Sequence, residues 1–379
     1  MISRPSNAQI AVLVVDDSVV ARRLVTTALT SDPEIEVVGT ASSGRLCLDK
    51  IAQLNPDLVT LDIEMPDMDG LETLKELRRR HPKLPVIMFS SLTERGATIT
   101  LDALTFGAND YVCKPSKVSS PDEAMASVQA QLIPKIKALT GVRAARTGRA
   151  PVPASPLVPV ARPRAAFVAT PAGGEPTGPV DVIAIGASTG GPDALALILG
   201  QLPADFPVPV VVVQHMPPLF TRLFAQRLHT AGNVIVREAQ DGDIVEAGTV
   251  LIAPGDYHLS LRRDGVHVRA GIHQEGPENW VRPAVDVLFR SVAHVYGERA
   301  LGVVLTGMGQ DGIRGVERMS AAGAQIVVQD EATSVVWGMP GVVANAGLAH
   351  RILPLSEVAG HLLSVAGRTR GRAVAGATR

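Results

Sequence analysis

The segment from residue 141 to residue 179 limits how this chain can fold more than any other feature, because it divides the sequence into two parts. Proline and alanine dominate the segment, five arginines supply its charge, and no helical or strand periodicity persists through it. Such a composition buries too little apolar surface to offset the entropy lost on ordering. We therefore predict a domain at 1–140, a flexible linker at 141–179, a second domain at 180–366 and a disordered tail at 367–379.

The composition is that of a folded protein whose cores are built from aliphatic side chains. The chain has 379 residues, of which 46% are hydrophobic, 19% charged and only 3% aromatic. Cores of this kind suit parallel sheets covered by helices on both faces. A formal net charge of −1 does not favour a nucleic-acid partner. No apolar run approaches the roughly 18 residues of a membrane helix, so we expect a cytoplasmic protein with no direct membrane insertion.

Short β-branched runs alternate with helical patterns throughout the first domain. The predicted strands are Ala11–Val15, Ile35–Thr40, Leu58–Leu61, Val86–Phe89 and Asp110–Val112. The clearest predicted helices are Ser18–Leu29, Gly44–Gln53 and Gly70–Arg80. This alternation favours an α/β fold with a doubly wound parallel sheet, whose functional residues lie at the carboxyl ends of the strands.

The same alternation returns at Val180 and predicts a second, different α/β domain. Its predicted strands are Val182–Ile185, Pro209–Val213, Val234–Arg237, Val250–Ala253, Val266–Arg269, Leu301–Leu305 and Ala324–Gln329. Its predicted helices are Pro192–Leu199, Leu219–Leu228, Ala284–Tyr296 and Asp311–Ala322. No repeat with a short period relates the two domains.

Three carboxylates follow two predicted strands of the first domain. Asp16 and Asp17 end one strand and Asp62 ends another, so the turns that carry them can be neighbours at the sheet edge. Carboxylates in one hollow repel each other, and Mg2+ relieves that repulsion by binding their oxygens. Asp62 could then attack a phosphoryl group, with Lys114 and Ser90 as partners for its oxygens. Taken singly, the acidic residues could equally be helix caps.

The first domain resembles a response-regulator receiver domain over about residues 8–139. The resemblance is carried by Val-Asp-Asp-Ser, Leu-Asp-Ile-Glu-Met-Pro-x-Met-Asp-Gly, a hydroxyl after the fourth strand, and Tyr-Val-Cys-Lys-Pro. It implies a flavodoxin-like fold with Asp62 as the phosphoacceptor. The Mg2+ ligands that it implies are Asp16, Asp17, Asp62 and the carbonyl of Glu64. The phosphorylation switch that it implies consists of Ser90, Tyr111 and Lys114.

A serine lies between small residues where the first strand of the second domain ends. The run Gly-Ala-Ser-Thr-Gly around Ser188 fits the nucleophile elbow of serine hydrolases, in which glycines allow a tight turn. Backbone N–H groups after Ser188, at the start of a helix, are available to an oxyanion. A phosphate or dinucleotide loop is the alternative, but the spacing Gly-x-Gly-x-x-Gly and the Walker lysine are both missing.

A histidine and an aspartate follow other strands of the same domain. His215 comes after a strongly apolar strand, so it should lie at the same sheet edge as Ser188 and could take the hydroxyl proton. Asp311 follows the strand Leu301–Leu305 and could orient the imidazole, although a simple helix cap is the alternative. The order Ser, His, Asp differs from that of α/β-hydrolases, which indicates another scaffold with the same chemistry.

The second domain resembles the catalytic domain of the chemotaxis protein-glutamate methylesterase family (CheB) over about residues 180–363. The matching motifs are Ile-Gly-Ala-Ser-Thr-Gly-Gly-Pro, Val-Gln-His-Met-Pro, Ile-Ala-Pro-Gly-Asp-Tyr-His, Arg-Pro-Ala-Val-Asp-Val-Leu-Phe, Leu-Thr-Gly-Met-Gly-Gln-Asp-Gly and Trp-Gly-Met-Pro. The resemblance implies a mostly parallel α/β esterase domain that needs no cofactor at its catalytic site. Its predicted triad is Ser188, His215 and Asp311. The predicted oxyanion pocket consists of Thr189, Gly190, Gly191 and Met308.

The two resemblances together imply a serine hydrolase that phosphorylation switches on. Its implied substrates are glutamate methyl esters, and some glutamines, on the cytoplasmic domains of methyl-accepting chemoreceptors. The implied phosphodonor is a chemotaxis histidine kinase. Three alternatives remain at this point: an esterase-like protein of another chemosensory pathway, a scaffold without catalysis, and a receiver-controlled transcription factor. No helix-turn-helix pattern or basic domain supports the last of these.

Overall fold

The structure is a computed structural model that describes residues 9–115, 120–146 and 178–376. The chain forms two compact units, Met1–Pro153 and Ala154–Arg379. Both units are α/β domains with parallel sheets, which confirms the predicted fold class.

The first unit is built around a sheet of five strands that are all parallel to their neighbours. They are β1 (Ile10–Val15), β2 (Ile35–Ala41), β3 (Leu58–Asp62), β4 (Val86–Ser90) and β5 (Asp110–Cys113). Their spatial order is β2-β1-β3-β4-β5. Every residue of β3, β4 and β5 is buried, as expected for a sheet that helices cover on both faces.

In the described residues of this unit, five helices accompany the sheet, and polar side chains cap the start of four of them. They are α1 (Val19–Thr30), α2 (Gly44–Leu54), α3 (Gly70–Arg80), α4 (Glu94–Thr105) and α5 (Pro121–Arg146). The first four are capped by side-chain oxygens that accept from backbone N–H groups of the first turn: those of Ser18, Ser43, Asp69 and Thr93. The caps place each helix start directly after a strand or its loop.

The last helix of this unit extends beyond residue 141, where the linker was predicted to start. Helix α5 continues to Arg146, so the first residues of the predicted segment 141–179 are helical. The apolar positions Val128, Leu132, Ile136 and Leu139 are buried, so the helix packs through one face up to Leu139. Residues 147–177, the main part of the predicted linker, lie outside the described residues.

The second unit contains a seven-stranded parallel sheet and a separate hairpin. In chain order the strands are β6 (Val182–Ala187), β7 (Val210–Gln214), β8 (Ile235–Glu238), β9 (Thr249–Ile252), β10 (His258–Asp264), β11 (His267–His273), β12 (Ala300–Val304), β13 (Gln325–Gln329) and β14 (Arg351–Leu353). The large sheet has the order β14-β13-β12-β6-β7-β9-β8. Strands β10 and β11 pair with each other in antiparallel fashion.

Six α-helices complete the described part of this unit. They are α6 (Gly191–Leu199), α7 (Pro218–Ala231), α8 (Val285–Tyr296), α9 (Ile313–Ala321), α10 (Met339–Asn345) and α11 (Leu355–Gly376). Residues of α8 and α9 pack with the inner strands and the hairpin in one buried apolar cluster. Helix α11 runs to Gly376, so the predicted tail at 367–379 is helical up to that residue. Among the described residues, no helix combines the length and apolar character that crossing a membrane requires.

Several elements of this unit differ from the prediction, and β14, α10 and α11 were not predicted at all. The predicted strand Val266–Arg269 is the second arm of the hairpin, and its partner β10 was not predicted because Arg262, Arg263 and Asp264 mask its apolar alternation. The helix predicted from Asp311 begins at Ile313, because Gly312 adopts a left-handed φ of +98°. Asp311 therefore lies in the turn before α9.

Candidate functional site

The three predicted triad residues follow three strands that are adjacent in the large sheet. Strand β6 pairs with β7 on one side and with β12 on the other. Ser188 comes directly after β6 and His215 directly after β7, and the His215 N–H donates to the Ala187 carbonyl at 3.2 Å. Asp311 lies in the turn that connects β12 to α9. All three residues thus lie at the carboxyl edge of the sheet.

The turn that carries Ser188 is tight and depends on glycine. Gly190 has a φ of +77°, and a Cβ there would lie 2.6 Å from the side chain of Val335. The Ser188 N–H donates to Thr306 O at 3.1 Å, and the Gly191 N–H donates to Ser188 O at 2.7 Å. The backbone therefore holds Ser188 in a rigid elbow at the start of α6.

His215 and Asp311 form a direct hydrogen bond. The distance from His215 Nε2 to Asp311 Oδ2 is 2.8 Å, and the carboxylate accepts because Asp311 is ionised. The imidazole proton is therefore on Nε2, which leaves Nδ1 as the nitrogen that can accept another proton. In the described part of the chain, the Ser188 hydroxyl makes no hydrogen bond to His215, a looseness that is common without substrate.

The carboxylate of Asp311 is buried and surrounded by donors. Besides His215, it accepts from the backbone N–H groups of Val285 at 2.6 Å and Asp286 at 3.2 Å. Burial alone would raise the pKa of Asp311, but the hydrogen bond and charge of His215 and the two backbone N–H groups outweigh it and lower that pKa. Asp311 therefore stays ionised in the neutral pH range.

Asn279 also contacts this carboxylate and connects it to the carboxylate of Asp286, and sequence reasoning assigned a role to neither residue. Asn279 Nδ2 donates to Asp311 Oδ1 and to Asp286 Oδ2, both at 2.8 Å. Asp286 lies in the first turn of α8, inside the quoted motif Arg-Pro-Ala-Val-Asp, which could have drawn attention to it. Asn279 belongs to an irregular loop, and no local pattern indicates that its side chain reaches Asp311.

The predicted oxyanion residues surround the same elbow, but one donor is already engaged. The Gly191 N–H is committed to Ser188 O, and the Thr189 carbonyl accepts from Thr306 Oγ1 at 2.9 Å. Met308 is half-buried and follows Gly307, whose Cβ position lies 2.8 Å from Ser188 Cβ. The chain around Met308 therefore passes close to the nucleophile candidate.

In the first unit, the predicted acidic residues also lie together. Asp16, Asp17 and Asp62 each offer a carboxylate oxygen within 4.8 Å of the others. The Lys114 ammonium lies 2.8 Å from Asp62 Oδ1 and 3.0 Å from Asp16 Oδ2. The carboxyl ends of β1, β3 and β5 supply these side chains, as the sequence predicts for strands of one parallel sheet.

The oxygens of this hollow fit a hard cation. Among the described residues, the buried Oδ2 of Asp62 accepts no hydrogen bond, and the buried Oδ2 of Asp16 has only the Lys114 ammonium as a partner. Burial raises the pKa of Asp62 to about 6, with the Lys114 hydrogen bond opposing and the Asp16 charge adding to the rise. Under-coordinated carboxylate oxygens of this kind are the ligands that Mg2+ takes in proteins. Glu64 is exposed, and the role of its carbonyl as a ligand stays a prediction.

The predicted switch residues are buried, and the structure adds a partner to one of them. Ser90 is fully buried, and its hydroxyl accepts from Thr100 Oγ1 at 2.7 Å and approaches Gly96 O at 3.3 Å. It therefore bonds to the start of α4 and not to Asp62. Tyr111 is 7% exposed, and its ring lies 5.3 Å from the Lys135 ammonium. Sequence reasoning missed Thr100.

Both units are similar to known proteins. The CheB methylesterase family matches residues 183–362, and the response regulator receiver domain matches residues 12–126. A protein of Trichodesmium erythraeum named protein-glutamate methylesterase/protein-glutamine glutaminase is 49% identical over 352 residues, which cover 93% of this chain and 97% of that protein. This chain belongs to the CheB methylesterase family.

A second relative is similar over nearly the whole chain, and a solved structure is similar over about half of it. A Nocardioides protein with the same name is 52% identical over 362 residues, covering 95% of this chain and 96% of its own length. The crystal structure of the Thermotoga maritima CheB methylesterase catalytic domain is 41% identical and covers 49% of this chain and 98% of that domain, with a TM-score of 0.48. The two family matches and the two relatives with that name confirm both resemblances drawn from the sequence.

Proposed function

We propose that this chain is a phosphorylation-regulated serine hydrolase that acts on glutamate side chains of chemoreceptor cytoplasmic domains. It removes their methyl esters, releasing methanol, and it deamidates particular glutamines. The observation that carries the proposal is the hydrogen bond of His215 to Asp311 at the sheet edge where Ser188 forms a tight elbow. Membership of the CheB family supports the choice of substrate.

The reaction begins with proton transfer from the serine hydroxyl. His215 Nδ1 takes the proton from Ser188 Oγ as Oγ attacks the ester carbonyl carbon, and a tetrahedral intermediate forms. Asp311 accepts a hydrogen bond from the Nε2–H group of His215 and stabilises the imidazolium that results. The imidazolium then gives its proton to the departing methoxy oxygen, so methanol leaves and an acyl-enzyme remains.

Water then hydrolyses the acyl-enzyme, and the same residues carry the proton. His215 takes a proton from water, the hydroxide attacks the acyl carbon, and the proton returns to Ser188 Oγ as the glutamate is released. For a glutamine substrate the first leaving group is ammonia, and the product is again glutamate. Backbone N–H groups near Met308 and at the Ser188 elbow are the proposed donors to the negative oxygen of each intermediate.

Phosphorylation of the first unit provides the control. Asp62 is the proposed phosphoacceptor and a chemotaxis histidine kinase the proposed phosphodonor. Asp16, Asp17, Asp62 and the Glu64 carbonyl would hold Mg2+, which neutralises charge on the transferring phosphoryl group. Lys114 pairs with Asp62 and would pair with a phosphoryl oxygen. Ser90 and Tyr111 would change their contacts when the phosphoryl group arrives.

The proposed site of action is the cytoplasm, where receptor cytoplasmic domains and the kinase are found. No nucleic acid is needed for the reaction. An allosteric coupling of about 1–3 kcal/mol between the two sites corresponds to roughly 5–150-fold in activity. A scaffold without catalysis is the second candidate, but the charged, fully bonded carboxylate behind His215 favours hydrolysis.

The test is methanol release from methylated receptor membranes, with and without a small phosphodonor. Replacement of the nucleophile, Ser188→Ala, should lower the rate by at least about 10⁴-fold and keep the fold. Ser260→Ala is the matched control, because that hydroxyl bonds to Gly271 O in the hairpin and should leave the rate unchanged. Methanol release by the Ser188→Ala protein at the normal rate would refute the proposed nucleophile.

A further inference from the structure

An irregular loop between β11 and α8 turns one side chain inward and leaves the next in solvent. Asn279 and Trp280 adopt left-handed φ values of +52° and +66°. Trp280 is 99% exposed, so burial of its ring does not hold the loop. Asn279 instead points at two carboxylates. Asparagine tolerates left-handed backbone better than most residues, which suits it to this position.

The two carboxylates that Asn279 contacts are both buried. Asp286 is 0% exposed and Asp311 is 3% exposed. Two buried negative charges at neighbouring positions repel each other, and burial raises the pKa of Asp286 while the Asp311 charge adds to the rise. The amide nitrogen of Asn279 carries two protons, and its two bonds of 2.8 Å use one for each carboxylate. It links them without adding charge.

Each of the two carboxylates also accepts hydrogen bonds from backbone N–H groups at the start of the other residue's helix. Asp311, in the turn before α9, accepts from Val285 N and Asp286 N at the start of α8. Asp286, in the first turn of α8, accepts from Gly315 N in α9 at 2.7 Å. Oδ1 of Asp311 is thus held by Asn279 and α8, which leaves Oδ2 aimed at His215.

Contacts on both sides of Asn279 fix the loop that carries it. Glu278 pairs with Val281 through the backbone and binds Arg290 in bidentate fashion at 2.7 and 2.6 Å. His258 accepts from Ala284 N at 3.2 Å and bonds to Gly276 O at 3.1 Å. These anchors place the amide of Asn279 in the structure before any substrate binds.

We propose that Asn279 is a positioning residue of the hydrolase: its amide holds Oδ1 of Asp311 so that Oδ2 keeps His215 in the reactive orientation and tautomer. The inference rests on the proposed function, because it assigns Asn279 to the same relay. Asn279 does not touch the reacting atoms. Its effect reaches Ser188 through Asp311 and His215 only.

Loss of the Asn279 donor should change the pH dependence of the reaction. The charged or titratable groups that interact with Asp311 among the described residues are His215, Asp286, Glu278 and Arg290. When the Asn279 donor is removed, the Val285 and Asp286 N–H groups still hold Asp311 beside His215. The carboxylate then has one donor fewer, so it attracts the imidazolium proton more strongly. The acid limb of the reaction should therefore move to higher pH.

The experiment measures labelling of Ser188 in the full-length protein by a fluorophosphonate, which needs no receptor. In Asn279→Gly we expect the maximal labelling rate to fall about 10–100-fold, the range found when partners that orient metal-binding histidines are removed. The probe affinity should change less than twofold, and the acid limb should rise by about half a pH unit. Trp280→Gly is the matched control, because it places glycine in the same left-handed loop without removing a donor.

A second variant covers the case in which Asn279→Gly does not fold. Asn279→Asp has the same shape but adds a third carboxylate, so it should slow labelling and raise the acid limb further. An unchanged acid limb with only lower thermal stability, or equal effects in Trp280→Gly, would overturn the proposal. Failure of the unsubstituted protein to label at all would instead overturn the proposed hydrolase function.

Discussion

Each unit has a buried aspartate at the edge of its sheet, but the two aspartates differ in how many hydrogen-bond donors surround them. In the second unit, Asp311 accepts from one imidazole, one amide and two backbone N–H groups. In the first, Asp62 has Lys114 and a long backbone contact, and its Oδ2 accepts nothing. The pKa of Asp311 is lowered, whereas that of Asp62 is raised to about 6.

The comparison explains why one carboxylate orients and the other can react. A carboxylate whose oxygens are all bonded is fixed in charge and direction, as support for a catalytic histidine requires. A carboxylate with a bare, buried oxygen is less stable as an anion and keeps capacity for a cation and a phosphoryl group. The number of donors around each aspartate therefore separates the two functions.

The largest expected effect comes from removing the charge of the fully bonded carboxylate. Asp311→Asn keeps the shape but offers an amide to His215, so the imidazole loses its oriented proton. We expect kcat for methanol release to fall about 10⁴-fold. Asp264→Asn, at an exposed carboxylate paired with Arg269, is the control and should retain activity. A loss below tenfold in Asp311→Asn would contradict the role of this carboxylate as an orienting group.

The second prediction concerns the stability of the first unit. Since its folded-state pKa is raised from 3.8 to about 6, ionised Asp62 destabilises the fold above that pH, and the penalty disappears as pH falls below 3.8. In metal-free buffer at pH 7, Asp62→Asn should raise the free energy of unfolding by about 1–3 kcal/mol. Hydrogen exchange of β1 and β3 amides measures the gain.

The exposed Asp49→Asn should not reproduce this gain. The difference between Asp62→Asn and the unsubstituted chain should also shrink between pH 7 and pH 4, because Asp62 becomes protonated. Equal stability of the two proteins at pH 7 would mean that the bare oxygen carries no penalty, and the contrast between the two sites would fail.

The smallest expected effect tests the hydroxyl pair beside the phosphorylation site. Thr100→Val removes the donor to Ser90 Oγ with little change of shape. A net hydrogen bond is worth about 0.5–1.5 kcal/mol, so phosphorylation by acetyl phosphate should become about two- to tenfold faster as Ser90 is freed. Thr98→Val, at an exposed hydroxyl that bonds to Glu94 O, is the control. A slower reaction in Thr100→Val would show that the contact assists the switch.

Local patterns were sufficient for most of the architecture. Apolar runs of three to six residues indicated the five strands of the first sheet and all strands of the second large sheet except β14, together with the residues at their ends. Because parallel strands end at one edge, the neighbourhood of Ser188 with His215 and of Asp16 with Asp62 followed from the sequence. The hairpin strand β10 was not predicted because the residues at its C-terminal end are charged.

Other features depended on contacts that no local pattern reports. Asn279 is 32 residues from Asp311 in sequence, and Thr100 is 10 residues from Ser90. Their partners are chosen by how helices and loops pack, and a hydrogen bond forms only within a few tenths of an ångström of its ideal length. Strand periodicity places a residue at the edge of a sheet with a precision of several ångströms.

The amino-acid sequence by itself therefore determined the two α/β domains and the residues that end their strands, because burial sets the order of apolar and polar side chains along the chain. Only the tertiary structure decided how many donors each buried aspartate receives, and with that which carboxylate stays ionised and bonded on both oxygens and which keeps one oxygen bare.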